Sequence, residues 1–102
     1  MEIERHTIPT MSLQELAYKY GLKLVVRERN RSLRESGLPR FYVHLHKVEE
    51  KEGIMLRSTS GNGETEQDAI LDYCENISGS FLVYDAMGQN RIEIGHVYIE
   101  EA

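Results

Sequence analysis

The sequence predicts an α+β fold with helices on one face of an antiparallel sheet. Three observations carry that reading. Two segments place apolar residues at helical spacing behind capping residues. Several others alternate apolar and polar residues with a period of two, as half-buried strands do. Their order along the chain is α-β-β-β-α-β-β, for which one sheet backed by helices is the simplest arrangement.

Each element has its own justification. Residues 1–11 carry Ile3, Ile8 and Pro9 without periodicity and read as an arm or short edge strand. Ser12 and Glu15 form a capping box. Leu13, Leu16, Ala17 and Tyr20 follow at i, i+3, i+4 and i+7, and Gly21 closes this first helix. In 22–29, Leu22, Leu24 and Val26 face one side and Lys23, Val25, Arg27 and Arg29 the other. Residues 30–39 read as a polar loop broken by Gly37 and Pro39. Phe41, Val43 and Leu45 alternate with Tyr42, His44 and His46 in a second strand. A charged turn over 49–53 and a third strand over 54–58 follow. Gly61, Asn62 and Gly63 then break the chain. Thr65 is the predicted N-cap of a second helix with acids in its first turn, where the helix dipole favours them. Ala69, Ile70, Tyr73, Cys74 and Ile77 form its apolar stripe, and Ser78 and Gly79 end it. Strands over 81–86 and 91–99 flank a turn at 87–90. The apolar parity slips from Ile92 and Ile94 to Val97 and Ile99, which predicts a one-residue bulge near Gly95.

A chain of 102 residues, 40% hydrophobic and 28% charged, is expected to form one domain: an arm (1–11), a core (12–78) and a terminal hairpin (80–99). No run approaches the roughly 18 apolar residues a membrane span needs. The first residues lack the order of a secretion signal, and Cys74 is a lone cysteine. The expectation is a soluble cytoplasmic protein with no membrane partner. Cys74 on an apolar stripe reads as a small hydrophobe. His44 and His46 point the same way and could meet His6 or His96, but they lack an acid or cysteine at ligand spacing. The sequence therefore predicts no metal and no cofactor. No nucleophile–base pattern is visible either, so a non-enzymatic protein is expected.

Net charge is −5, unevenly spread. Residues 1–47 hold nine Lys/Arg against five Asp/Glu, and 48–102 hold three against twelve. Two candidate surfaces follow. One is acidic: Glu64, Glu66, Asp68, Asp72 and Glu75, the last three at i, i+4 and i+7 on one helix face with Leu71 beside them. Such a stripe can imitate nucleic-acid phosphates and occupy a basic groove on a partner. The other is basic: Lys23, Arg27 and Arg29 on a strand face, Arg31 and Arg34 in the loop, with Tyr42 and His44 sharing the face if the strands pair. Cations interleaved with aromatics can hold a single nucleic-acid strand by charge and stacking. For either stripe the plain alternative is a solvated face.

The order α-β-β-β-α over 12–78 resembles the double-stranded-RNA-binding domain. Gly37, Leu38 and Pro39 ahead of the aromatic strand Phe41–Leu45 are similar to that family's loop and strand. Gly61, Gly63 and Thr65 with Asp68, Ala69 and Ile70 look like its turn into the last helix. The resemblance implies that fold with an added hairpin. It does not carry the RNA grip: where the family places lysines, this chain has Glu66, Gln67 and Asp68, with Glu64 just before, and phosphate neutralisation dominates such binding.

The C-terminal half has a second resemblance. Gly61, Gly63, Thr65, Ala69, Ile70 and Tyr73, then Ile77, Ser78, Gly79, Leu82, Val83, Asp85, Ala86, Asn90, Arg91, Glu93 and Ile94 are similar to small phage- and prophage-encoded proteins. It implies a non-enzymatic binder from a phage or mobile element. The partner would be a host nucleic-acid-handling protein with a basic groove, most sharply a CRISPR nuclease inhibited through the acidic face. The alternatives are a nucleic-acid-binding module using the basic residues, and a structural accessory protein, with homodimerisation through the terminal strand left open.

Overall fold

The structure is a computed structural model and describes residues 1–4 and 8–101. His6, one of the histidines weighed above, lies outside the described residues, as does Ala102.

The first helix forms where its caps and stripe place it. In α1 (Leu13–Tyr20), Ser12 Oγ accepts from Glu15 N at 3.1 Å, and Gly21, at φ 65°, ends the helix. Glycine enters that left-handed conformation without a Cβ penalty. Leu13 and Leu16 are buried beneath it. The second long helix, here α3 (Glu66–Ile77), starts at Thr65, whose hydroxyl accepts from Asp68 N at 3.1 Å. It buries Ala69, Tyr73, Cys74 and Ile77.

The strands depart from the predicted single sheet. β1 (Leu24–Glu28), β2 (Phe41–Leu45) and β5 (Gly61–Gly63) make a three-stranded antiparallel sheet in the order β1-β2-β5. β3 (Val48–Glu52), β4 (Met55–Ser58), β6 (Phe81–Tyr84) and β7 (Ile92–His96) make a second, in the order β4-β3-β6-β7. The α+β class holds, but the three strands of the expected core do not share one sheet. The chain leaves the first sheet at a corner formed by His46 and Lys47. Lys47 adopts φ 59°, and its carbonyl accepts from Asp85 N at 2.8 Å.

Five readings change. The segment 49–53 is mostly strand rather than turn, because β3 is paired on both sides, by β4 and β6. Its inward-facing Glu50 is buried, yet its carboxylate accepts from Ser80 Oγ and Arg57 Nη2, both at 3.1 Å. A buried carboxylate is tolerated when hydrogen-bonded and paired in this way. Within the expected loop 30–39, Asn30 Oδ1 accepts from Leu33 N at 3.0 Å and caps a short helix, α2 (Arg31–Glu35). Ile54 belongs to the turn before β4 and is fully exposed. The terminal hairpin is not an appendage, since β6 lies between β3 and β7.

The fifth change is the Gly-Asn-Gly segment, a strand rather than a break. β5 lies against α3. A Cβ built on Gly61 would fall inside the van der Waals envelope of Ala69 O and Tyr73 N, and one on Gly63 would meet Ala69 N and the Asp68 backbone. Only glycine lets strand and helix backbones approach this closely.

The predicted bulge is present. Leu82 faces Gly95 but Val83 faces Glu93, so Ile94 is the extra residue, and Gly95 takes φ 93°. The slip restores an inward aspect to the buried Val97. Beyond β7, Met11 bridges Ile99 in parallel: Met11 N donates to Tyr98 O at 3.0 Å and Glu100 N to Met11 O at 2.9 Å. The end of the arm is thereby tied to the chain's last residues. Leu16, Val43, Leu45, Tyr73, Ile77, Leu82 and Val83 are fully buried, so helices and both sheets contribute to the core. Each such aliphatic side chain contributes roughly 1.5–3 kcal/mol.

Candidate functional site

The acidic set divides into four free carboxylates and one structural one. Glu64, Glu66, Asp68 and Glu75 are exposed and make no ion pair among the described residues. Asp72 is half-buried. Its Oδ2 accepts from Asn62 N at 2.8 Å and from Asn76 Nδ2 at 3.4 Å, holding β5 to α3. The predicted stripe of Asp68, Asp72 and Glu75 is therefore interrupted, with the exposed Leu71 beside the gap. Near the N-terminus of α3, Glu66 and Asp68 also complement the helix dipole.

The basic set divides the other way. Arg29 is half-buried and donates from Nη1 to Pro39 O at 2.7 Å and Phe41 O at 3.5 Å, and from Nη2 to Asn62 Oδ1 at 2.6 Å. Its guanidinium lies 4.6 Å from the Tyr42 ring centroid. Arg31 pairs with Glu35 at 2.9 Å. Arg40 pairs with Glu28 at 2.9 Å and covers Phe41. Lys23, Arg27 and Arg34 are exposed and carry no ion pair among the described residues. Asn62 joins the two candidate surfaces, donating its backbone to Asp72 and accepting from Arg29 on its side chain. The two signs of charge therefore meet at β5 instead of occupying opposite poles.

Pairing does bring the predicted basic-aromatic face together. Val25 is opposite His44, and Arg27 is opposite Tyr42, which in turn faces Asn62. His46 N donates to Lys23 O at 2.8 Å, extending the pairing by one row. Lys23, Arg27, Tyr42 and His44 thus share the side of this sheet turned away from the core. His44 Nδ1 lies 3.3 Å from Leu45 O. At the junction with the second sheet this face borders a groove of about 350 Å³, lined by Tyr42, His44, Lys47, Glu49 and the hydroxyl run Ser58, Thr59 and Ser60. Lys47 and that run were not legible as one site, because two sheets supply them.

Cys74 is chemically quiet. Its Sγ is 3.7 Å from Glu101 Oε1, which also accepts from Leu13 N at 2.7 Å and so caps α1. Burial and the neighbouring Glu101 carboxylate push its thiol up to about 12, from an ordinary 9.0. Burial likewise lifts the Tyr73 phenol to about 12, and its oxygen accepts from Leu45 N at 3.1 Å. Since the thiolate is the nucleophile, alkylation of buried Cys74 by iodoacetamide at pH 8 is expected to run more than about tenfold slower in the folded protein than in urea. Comparable rates would contradict the burial of Cys74. Among the described residues, no group of three or more His, Cys, Asp or Glu is disposed to hold a metal ion. Among the same described residues, no helix is long and apolar enough to cross a membrane.

The described chain is thus a small two-sheet α+β domain with an acidic helix and a basic-aromatic sheet face. Compared with known proteins, it matches no family model, no curated protein and no solved structure.

Proposed function

We propose that this chain is a non-enzymatic binding protein that presents carboxylates to the basic, nucleic-acid-handling surface of a partner protein. The observation that supports it is a local cluster of unpaired carboxylates. Glu64, Glu66, Asp68 and Glu75, on and just before α3, have no counter-ion among the described residues, while the unpaired cations Lys23, Arg27 and Arg34 lie elsewhere, around β1 and α2. Unpaired surface charge of one sign steers association and fixes the orientation of docking. The resemblance to the double-stranded-RNA-binding domain, which rests on the residues and not on the sheet order, adds only that Glu66 and Asp68 stand where that family carries phosphate-gripping lysines. In its sharpest form the chain is a phage or mobile-element product, acts in the host cytoplasm and inhibits a CRISPR nuclease by occupying its nucleic-acid channel.

Plasmid cleavage by purified, guide-loaded CRISPR nucleases tests this directly. Excess chain is expected to slow one of them by about tenfold or more, and a variant with Glu64, Glu66, Asp68 and Glu75 all changed to Lys is expected to restore full cleavage. Uninhibited cleavage throughout removes the nuclease as partner. Inhibition that survives the charge reversal removes the acidic surface.

A further inference from the structure

We infer that the outer face of the β1-β2-β5 sheet, together with the groove at the sheet junction, is a binding site for single-stranded nucleic acid. This site is separate from the acidic surface on α3 and does not rest on the function proposed for it.

Register places Arg27 beside Tyr42 and puts His44 on the next row of the same face, with Lys23 beyond it. Arg27 and Lys23 are exposed and carry no ion pair among the described residues. Lys47 projects from the corner at the C-terminal end of β2, the end that also carries Lys23, while Arg27 flanks the Tyr42 row. The groove of about 350 Å³ falls within the range of small-ligand sites, roughly 300–1,000 Å³. Tyr42 and His44 line it together with Ser58, Thr59 and Ser60, whose hydroxyls and backbone groups can meet the polar edge of a base or sugar. Glu49 is the one carboxylate in its lining. Arg29 cannot grip phosphate, being committed to Pro39, Phe41 and Asn62; its guanidinium lies over the Tyr42 ring, holding it in place and covering one of its faces, so a base stacks on the other.

A single strand is the ligand these features fit. Its phosphates need cations spaced along a track, and its unpaired bases need aromatic surface and a polar slot. A duplex offers no free base faces. Arg27, Tyr42 and His44 face the side of the sheet turned away from the core, and only the β5 edge touches α3, whose acidic start would repel a phosphate backbone there.

Fluorescence anisotropy with labelled oligonucleotides of about twelve nucleotides, single-stranded DNA and RNA and a blunt DNA duplex, tests the assignment at an ionic strength of about 0.02 M. The full chain is expected to bind a single strand more tightly than the duplex, with affinity falling as salt rises. Arg27→Glu and Lys47→Glu are each expected to weaken binding about tenfold, and Tyr42→Leu by a similar factor. Lys19→Glu, on the helix side of the molecule, is expected to leave it unchanged. No binding to either single strand overturns the inference. So does a duplex that binds as tightly, or a loss from Lys19→Glu equal to that from Arg27→Glu, since either means diffuse charge attraction. Circular dichroism of each variant confirms that it is folded.

Discussion

Replacing Gly61 with alanine is expected to cost about 3 kcal/mol and to shift the urea midpoint sharply downward. The reason is steric. The added Cβ would overlap Ala69 O and the Tyr73 backbone, where α3 and β5 lie directly against one another. No flexible side-chain end can give way, because the obstructing atoms are mainly backbone. Relief requires moving the strand off the helix, which also uncovers Tyr73 and breaks the Asn62–Asp72 hydrogen bond. Gly37→Ala is the matched comparison. It sits at φ 98° with nothing near its absent Cβ, so alanine there suffers only backbone strain, about 1 kcal/mol. Equal midpoints for the two variants would mean that β5 does not lie against α3. Against a total stability of roughly 5–15 kcal/mol for a domain of this kind, the Gly61 change is a large fraction.

The second large effect is expected at Arg29. Arg29→Ala removes a donor from Pro39 O and Asn62 Oδ1 at once and frees the segment carrying α2. Losing charge-assisted hydrogen bonds that leave half-buried partners unsatisfied costs about 2–3 kcal/mol. Arg27→Ala, two residues away on the same face, is expected to stay within about 0.5 kcal/mol, since Arg27 is exposed and carries no ion pair among the described residues. Asp72→Ala should also destabilise, by leaving Asn62 N without its acceptor. Because Asn62 joins the two, a double-mutant cycle between Arg29 and Asp72 should deviate from additivity. Additive losses, or equal losses at Arg27 and Arg29, would refute this linkage. The comparison also separates roles within the basic set: Arg29 builds the face, and Arg27 is free to use it.

Much of the basic-aromatic site could be read from alternation. Tyr42 and His44 share a face by parity, and so do Lys23 and Arg27. Whether those two faces are one depends on register, which residue types along a single strand do not encode. The acidic site was legible as composition but not as availability: nothing local marks Asp72 as the acceptor for Asn62 N. A local signal for the strand–helix contact did exist. Gly61 and Gly63 are two apart, so in an extended segment both turn the same bare backbone to one side. Read as a break, the Gly-Asn-Gly run hid a strand that must approach another backbone.

Elements with short-range signals follow from the residues alone. Ser12 and Thr65 start helices because their hydroxyls reach backbone groups three residues on, Gly21 ends one, Phe41–Leu45 alternates, and the parity slip around Gly95 forces a bulge. Tertiary structure alone decided how the strands divide between two sheets, that the charged segment Val48–Glu52 runs through the middle of one, and which charges are spent internally. The physical reason is distance along the chain. A cap or an alternation is satisfied by neighbours. Glu50 becomes acceptable in a buried strand only because Ser80, thirty residues later, meets its carboxylate, and Arg29 becomes structural only because Asn62, thirty-three residues later, accepts from it.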